Sequence, residues 1–301
     1  MTDLQIRLTF GIVLGREKHL DLHILTNKSM LDTVRFVLTV TGPLQKLIDR
    51  PGETHEFCNT QAIKILQQDG FTRCATFFLR YEKELNKGVY WADQGWKNVS
   101  HFFKPASAKG LWLFPSATEE FEQHLSQAMK TAHQGNLRKA VFFLGAAAHL
   151  VQDLCVPHHA LGKILAGHQQ YETWVQQRYD QYAVNSHGIY WEREPVARLL
   201  GNVAVSADLL KWVDTDSSEQ WYHKATEILL PLAQCTTAGL LQWFYSNLYK
   251  SGWAAEFKMD CFLSNHRQVR HFDHLSSDMD DNSGIILDYQ SINHRNGGSR
   301  I

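Results

Sequence analysis

The most informative part of this chain is VFFLGAAAHLVQDLCVPHH, residues 141–159. Its apolar residues recur at the spacing of a helix, and positions four apart share one helical face, so His149 and Asp153 lie together. The run from 140 to 150 contains no Asp, Glu, Lys or Arg. Because an ionisable group on such an apolar helix needs a partner or a metal ion, we interpret the pair as metal ligands.

The overall composition is that of an ordinary globular protein. The 301 residues are 44% hydrophobic and 20% charged, enough for one large domain or two small ones. A formal net charge of −1 provides no general excess of Lys and Arg for binding nucleic acid. The sixteen histidines modestly favour a metal-binding protein.

The cysteine pattern and the search for targeting segments indicate in which cellular compartment the protein is expected. The five cysteines are scattered without a CxxC pair, so neither a disulfide framework nor a thiolate zinc site is predicted. No apolar run reaches the roughly 18 residues of a membrane-spanning helix, and the N-terminus lacks the pattern of a signal peptide. On these grounds the sequence itself favours a cytoplasmic or non-classical location.

The middle of the chain has a helical pattern throughout. Apolar residues recur at three- and four-residue spacing in segments near 54–68, 71–86, 117–134, 137–155, 169–183, 194–212 and 217–248. Glycines such as Gly88 and Gly135 are expected to separate the helices, and Ser116 with Glu119 has the pattern of a capping box. Since no alternating pattern predicts a sheet there, the predicted fold class is all-α.

Four features of this region carry imidazole or carboxylate groups. The central helix continues past Pro157 to a histidine pair, and a second i,i+4 pair of His and Glu follows nine residues later. Upstream, GVYWADQGWKNVSHFF contains an Asp and a His, and another His begins a helix. The candidate ligands are His55, Asp93, His101, His149, Asp153, His159, His168 and Glu172. Imidazole and carboxylate without thiolate are typical of zinc in a hydrolytic site.

Each feature also has a structural interpretation. A lone His-x3-Asp or His-x3-Glu on a helix is more often a solvated hydrogen-bonded pair, and an isolated loop histidine is more often structural. Their occurrence together and in this order favours the metal site.

Together these motifs resemble the zinc-dependent phospholipase C family, which shares its all-helical fold with the S1/P1 nucleases. The chain matches the family pattern of H, D, H, HxxxDxxxxxH and HxxxE in order. GVYWAD resembles the family's Asp loop, SHFF its His loop, and FFLGAAAHLVQDLCVPHH its central helix. The resemblance covers about residues 42–248 and implies a multi-helix fold of the phospholipase C/P1 nuclease type.

The resemblance also implies how the chain is divided. Residues 42–250 are predicted to form the catalytic domain. Residues 1–41 are predicted to be an irregular N-terminal extension, which we interpret as a candidate pro-segment. Residues 251–301 are polar and are predicted to form a poorly ordered tail.

The family pattern implies three zinc ions. The first would be held by Asp93, His101, His149 and Asp153. The second would be held by His159, His168 and Glu172, since the family spacing selects His159 rather than His158. The third would be held by His55 and Asp153. In the family an N-terminal Trp completes this third site, and here no Trp precedes Trp91. We therefore expect two zinc sites with full ligand sets and a third that lacks this ligand.

The implied reaction is hydrolysis of a phosphodiester by a metal-activated water, with phospholipid head groups as the expected substrate. Asp93 is the carboxylate expected to take or orient the proton of the water. Four aromatic residues near it would form a substrate lip in contact with a membrane surface, or would simply pack in the core: Tyr90, Trp91, Trp96 and Phe102.

Two other functions remain open at this stage: a single-strand nuclease of the S1/P1 type, and a metal-stabilised helical protein with an impaired site. Glu172 follows closely behind His159, whereas the nucleases typically close their cluster with an Asp after a longer gap. This favours the phospholipase branch, and a nucleic-acid partner is not favoured. Gln94 stands where choline-specific members carry an aromatic residue, which argues against choline preference.

Overall fold

A computed structural model describes residues 52–94, 101–103, 115–163, 167–191 and 194–250. Within these ranges every regular element is a helix, which confirms the all-α fold class. The helices are α1 (Glu53–Gln68), α2 (Thr72–Ala92), α3 (Ala117–His133), α4 (Leu137–Asp153), α5 (Pro157–Ala160), α6 (His168–Gln176), α7 (Pro195–Ala207), α8 (Leu210–Val213) and α9 (Glu219–Lys250), with a 3₁₀ turn at Tyr179–Tyr182. The predicted N-terminal extension and C-terminal tail lie outside the described residues.

Helix α3 begins at the predicted capping box. The Glu119 backbone N–H donates to Ser116 Oγ at 3.3 Å, and the Ser116 backbone N–H donates to Glu119 Oε2 at 2.7 Å. Two of the backbone donors that a helix start leaves unpaired are therefore satisfied reciprocally. The prediction for this helix start is confirmed.

Gly88 does not end a helix, contrary to the sequence-based expectation, because α2 continues through it to Ala92. A Cβ at Gly88 would lie 1.9 Å from the Phe142 carbonyl oxygen, and one at Gly145 would lie 2.0 Å from that of Leu85. The two glycines therefore let the backbones of α2 and α4 touch where they cross. A packing requirement, rather than a turn, accounts for Gly88.

Two of the predicted helical segments are divided. The pattern near 169–183 corresponds to α6 and the separate 3₁₀ turn, and the pattern near 194–212 corresponds to α7 and α8. Between α7 and α8 the chain turns at Leu209, which is buried in the same cluster as Val213. Apolar spacing alone does not reveal such a turn, because both segments bury their apolar residues.

Helix α4 lies at the centre of the molecule, buried on almost every side, as expected for a helix that is apolar all round. The main hydrophobic core surrounds it and includes Phe78, Phe121 and Phe244. A second cluster packs α6 against α9, where the Tyr171 hydroxyl and Thr226 Oγ1 are hydrogen-bonded at 3.1 Å. Among the helices of the described ranges, none is both long and apolar enough to cross a membrane.

Candidate metal centre

Asp153, the last residue of α4, lies among four histidines. Its Oδ2 is 2.9 Å from His101 Nδ1, 3.1 Å from His149 Nε2 and 3.8 Å from His159 Nδ1. Its Oδ1 is 3.4 Å from His55 Nε2. Because the two carboxylate oxygens face different imidazoles, this side chain has the geometry to bridge two cations.

A second cluster lies at the start of α6. His168 Nε2 is 3.0 Å from His159 Nε2 and 2.8 Å from Glu172 Oε1, and the third side of the triangle, from His159 Nε2 to Glu172 Oε1, is 3.1 Å. Three atoms with lone pairs thus converge on one point. The i,i+4 spacing on α6 places His168 beside Glu172, and the short α5 brings in His159.

Tertiary contacts position the two short helices of this second cluster. Gly167 precedes α6 with φ +86°, and a Cβ there would lie 2.8 Å from backbone atoms of Asp214 and Thr215. The start of α6 is therefore pressed against the segment that follows α8. Helix α5 begins with Pro157, whose fixed φ favours the first helical position.

The segment 101–103 joins the two clusters. The Phe103 backbone N–H donates to the His159 carbonyl at 2.9 Å. The ring of Phe102 stacks on His159 with centroids 4.6 Å apart and 16° between the planes. His101 itself is buried against Asp153 and His149. The fold therefore brings this loop histidine, distant in sequence from α4, into the cluster.

The electrostatics favour an anionic carboxylate and a neutral imidazole at the end of α4. Burial alone would raise the pKa of the Asp153 carboxyl, but the surrounding imidazoles, chiefly His149 and His159, hold this pKa well below its usual range. Burial lowers the pKa of His149 to about 4, and the Asp153 carboxylate only partly opposes this. His149 is thus held in the neutral form that binds metals.

His159 has the opposite character. Burial alone would lower its pKa, but the Asp153 and Glu172 carboxylates raise the pKa to about 9. Loss of hydration at its carboxylate, within the cluster, opposes ionisation of Glu172 as well, although much of the side chain is exposed, yet His168 and His159 lower the pKa of this carboxyl. In the metal-free chain, the Asp153 and Glu172 carboxylates therefore favour the protonated, positively charged form of His159.

The donor atoms fit zinc. Ligand atoms on a tetrahedral zinc with bonds of about 2.0–2.1 Å lie about 3.3 Å apart. The facing donor atoms of the two clusters lie 2.8–3.8 Å apart, a range that includes that value. A cation would satisfy the lone pairs of these facing atoms.

All eight side chains predicted as ligands lie in three groups whose donor atoms are within 4.8 Å of one another. The groups are His55, His149 and Asp153; Asp93, His101 and His149; and His159, His168 and Glu172. His158, by contrast, is fully buried and stacks on His168 with centroids 5.1 Å apart. It supports the ring of His168 instead of joining the triangle.

A family model described as zinc dependent phospholipase C matches residues 54–229, a span that includes all eight side chains. The chain belongs to this family. The zinc dependence of the family agrees with the fit of the donor atoms described above.

Curated relatives of this phospholipase C family member are themselves named phospholipase C. That of Bacillus cereus is 26% identical over 162 residues, which are 48% of this chain and 56% of the relative. That of Clostridium novyi is 26% identical over 220 residues, which are 63% of this chain and 53% of the relative. One from Clostridium perfringens is 33% identical over 180 residues, which are 52% of this chain and 45% of the relative. The chain thus spans about half the length of the curated relatives it matches.

Two solved structures share the fold. An alpha-toxin of Clostridium perfringens from an avian strain superposes with a TM-score of 0.58 at 20% identity, covering 65% of this chain and 64% of the toxin. The alpha toxin of Clostridium absonum also superposes with a TM-score of 0.58, at 19% identity, covering 65% of this chain and 63% of the toxin. At these identities the likeness shows the fold alone, and it agrees with the predicted phospholipase C type of architecture.

The aromatic residues predicted to bind substrate make internal contacts. The Tyr90 hydroxyl donates to Glu56 Oε2 at 2.7 Å, and Trp91 packs against the rings of Phe142 and Phe143. Phe102 supports His159, as described above. Trp96 lies outside the described residues. A substrate role for these four residues stays a prediction.

A groove lies beside the second cluster of candidate ligands. Its volume is about 700 Å³, and His168 forms part of its wall. Across it, the Arg178 guanidinium lies 4.6 Å from the centroid of the Trp174 ring and 3.8 Å from Glu219. Sequence reasoning did not single out these residues, because no local motif connects α6 to the start of α9.

Proposed function

We propose that this chain is a zinc-dependent hydrolase of phosphodiester bonds that acts as a phospholipase C on phospholipid head groups. The observation that carries the proposal is the convergence of four histidines on the buried Asp153 carboxylate, next to the His159, His168 and Glu172 triangle. Membership of the zinc-dependent phospholipase C family supports the choice of metal and reaction.

The ligand groups support an assignment of zinc sites. Asp93, His101 and His149, with one oxygen of Asp153, would hold one ion. His159, His168 and Glu172 would hold a second and leave a coordination position for substrate. The other oxygen of Asp153 would share a third ion with His55. The third site has fewer ligands than the other two among the described residues, so we expect it to be the weakest.

Bound zinc in such a cluster polarises the phosphoryl oxygens and lowers the pKa of water toward ~7. The chain's own residues would perform the remaining tasks. Asp93 directly follows α2 and is only half-buried, so its carboxylate remains accessible to take or orient a proton at the reacting water. Asp153 is buried, which suits it to holding charge in place.

The groove beside His168 supports access for a lipid head group. It adjoins the more exposed of the two clusters, and Trp174, Arg178 and Glu219 offer it an aromatic ring and both signs of charge. We propose that a phospholipid at a membrane surface enters from this side and that the contact with the membrane is peripheral.

The test is an assay of diacylglycerol release from vesicles of mixed phospholipids, run beside nucleotide release from single-stranded DNA. Diacylglycerol release should disappear on chelation, return with zinc, and be lost in His149→Ala. The matched control is His133→Ala, which alters an exposed histidine at the end of α3. Cleavage of DNA alone would favour a nuclease, and a zinc-loaded chain inert on both substrates would favour a binding protein.

A further inference from the structure

A buried glutamine lies directly beside the metal cluster. Gln152 precedes Asp153 on α4 and is only 3% exposed. Its Oε1 lies 2.8 Å from His55 Nδ1, while its Nε2 lies 3.0 Å from Asn59 Oδ1 and 3.1 Å from Thr237 Oγ1. One side chain thus connects α4 to α1 and α9 and contacts a candidate zinc ligand.

The hydrogen bonds of Gln152 have a defined direction. Asn59 Nδ2 donates to Asn86 Oδ1 at 2.9 Å, so Asn59 must present its carbonyl oxygen to Gln152. The Gln152 amide nitrogen then donates one hydrogen to Asn59 and the other to Thr237. Its carbonyl oxygen is left facing the imidazole. With Asn59 held in this orientation by Asn86, rotating the Gln152 amide alone would place two oxygens against each other at Asn59, which an interior site does not tolerate.

This direction decides the tautomer of His55. Because Gln152 Oε1 can only accept, His55 Nδ1 must carry the hydrogen and donate it. In the neutral imidazole the other nitrogen, Nε2, then keeps its lone pair, and it faces Asp153 Oδ1 at 3.4 Å. A histidine binds a metal through the unprotonated nitrogen, and the partner of the other nitrogen selects which one that is.

The network is built to hold this arrangement. His55 and Asn59 lie four residues apart on one face of α1, and Asn59 and Thr237 are fully buried. The partners of Gln152 come from α1 and α9, and α2 holds Asn59 in turn, so contacts from three other helices hold the orientation of the amide.

We propose that Gln152 is a positioning residue that fixes His55 as its Nδ1–H tautomer and thereby presents Nε2 to the zinc ion shared with Asp153. The proposal rests on the proposed function for the presence of that ion. The orientation of the imidazole, however, is a property of the metal-free chain and is measurable without zinc.

The first measurement is the tautomer. Long-range ¹H–¹⁵N correlation spectra of the full metal-free chain, labelled at histidine, should show His55 as the Nδ1–H form, with its signals identified by their loss in His55→Ala. In Gln152→Met, which removes the acceptor at similar size, we expect a mixture of tautomers.

The second measurement is zinc affinity by competition with a chromophoric chelator. The binding step that His55→Ala abolishes identifies the site. Gln152→Met should weaken this same step by about 10–100-fold, as for other groups that orient metal ligands. If Gln152→Met does not fold, Thr237→Val can replace it, because this change removes only one acceptor of the Gln152 amide. Thr237→Val should weaken the same zinc-binding step by a smaller factor.

The chain offers a matched control in Gln234 on α9. It is also buried and also makes three hydrogen bonds, with the Val184 backbone N–H and the carbonyls of Tyr182 and Leu230. Gln234→Met should lower the stability of the fold and leave zinc affinity and the His55 tautomer unchanged. Equal losses of zinc affinity in the two Met variants would overturn the proposal, as would an Nε2–H tautomer in the parent chain. A parent chain that binds no zinc would instead overturn the proposed function, while the tautomer would still test the positioning.

Discussion

The two parts of the candidate centre differ in how they are held. The inner part, His101, His149 and Asp153, has side chains at most 4% exposed, and two of its members lie on the long buried helix α4. The outer part, His159, His168 and Glu172, lies on two short helices, and the Glu172 side chain is 45% exposed. The difference suggests a division of tasks, in which the inner part retains metal and the outer part admits substrate.

The physical basis of this difference is the environment of the charges. In the inner part, burial leaves the carboxylate dependent on the imidazoles around it, so losing one member leaves an uncompensated charge. In the outer part, water screens Glu172, and the positions of His159 and His168 depend on contacts made by their backbones and rings. Substitutions in the two parts should therefore have different consequences.

The largest effect is expected for Asp153→Asn in the inner part. Removing the carboxylate shared by the imidazoles should lower activity by more than about 100-fold, because partners that only orient metal ligands already contribute about 10–100-fold. Zinc should be lost from the inner and the shared sites. Elemental analysis and diacylglycerol release would measure this, with the exposed Asp180→Asn as the control. If Asp153→Asn retained all of its zinc, the proposal that Asp153 bridges two zinc ions would be wrong.

A smaller and more local effect is expected for Glu172→Gln in the outer part. Zinc affinity of the outer site should fall by at least about 10–100-fold, because losing a ligand costs no less than losing a partner that only orients one. The free energy of unfolding of the metal-free chain should stay within about 0.5 kcal/mol, as is usual for exposed positions. Chelator competition and chemical denaturation would measure the two quantities, with the exposed Glu227→Gln on α9 as the control. Equal loss of zinc from both parts would show that they do not act separately.

The smallest effect on the centre is expected for Gly167→Ala. The left-handed conformation disfavours a side chain by about 1–2 kcal/mol, and the new Cβ would also press on the segment after α8. Gly135→Ala is the matched control, because Gly135 has a similar φ of +83° at the end of α3. Both variants should unfold at lower denaturant concentration.

Only Gly167→Ala should also weaken the outer zinc site, by a few-fold, since only Gly167 sets the start of α6. If Gly135→Ala weakened zinc binding at the outer site as much as Gly167→Ala, the loss would come from lower overall stability. The position of Gly167 at the start of α6 would then have no specific effect on the outer site. Inner-site affinity should be the same in both variants.

Several features could be predicted from sequence because they depend on local spacing. A residue and its fourth successor share a helical face whatever the helix packs against, so the His149–Asp153 and His168–Glu172 pairs follow from the pattern alone. The capping box at Ser116 is local in the same sense. The resemblance to the zinc-dependent phospholipase C family then indicated which separated histidines belong together, and the matching family model supports that family.

Other features depend on contacts between residues distant in sequence. Gly88 looked like a helix break, but its role is set by the close approach of α4. The aromatic residues near Asp93 could form a substrate lip or pack in the core, and the ring contacts of Trp91 with Phe142 and of Phe102 with His159 could not be predicted from their spacing. Nothing in the sequence around Gln152 indicates that its amide has a single orientation, because its partners lie on α1 and α9.

The sequence by itself determined the helical class, the spacing of the ligand pairs and the family of this protein, since each follows from local periodicity or from the order of chemical groups along the chain. Only the tertiary structure decided which oxygen of Asp153 faces which imidazole, how α6 is placed against the segment after α8, and which nitrogen of His55 faces the Gln152 amide. These depend on directional contacts between helices, and such contacts exist only after the chain has folded.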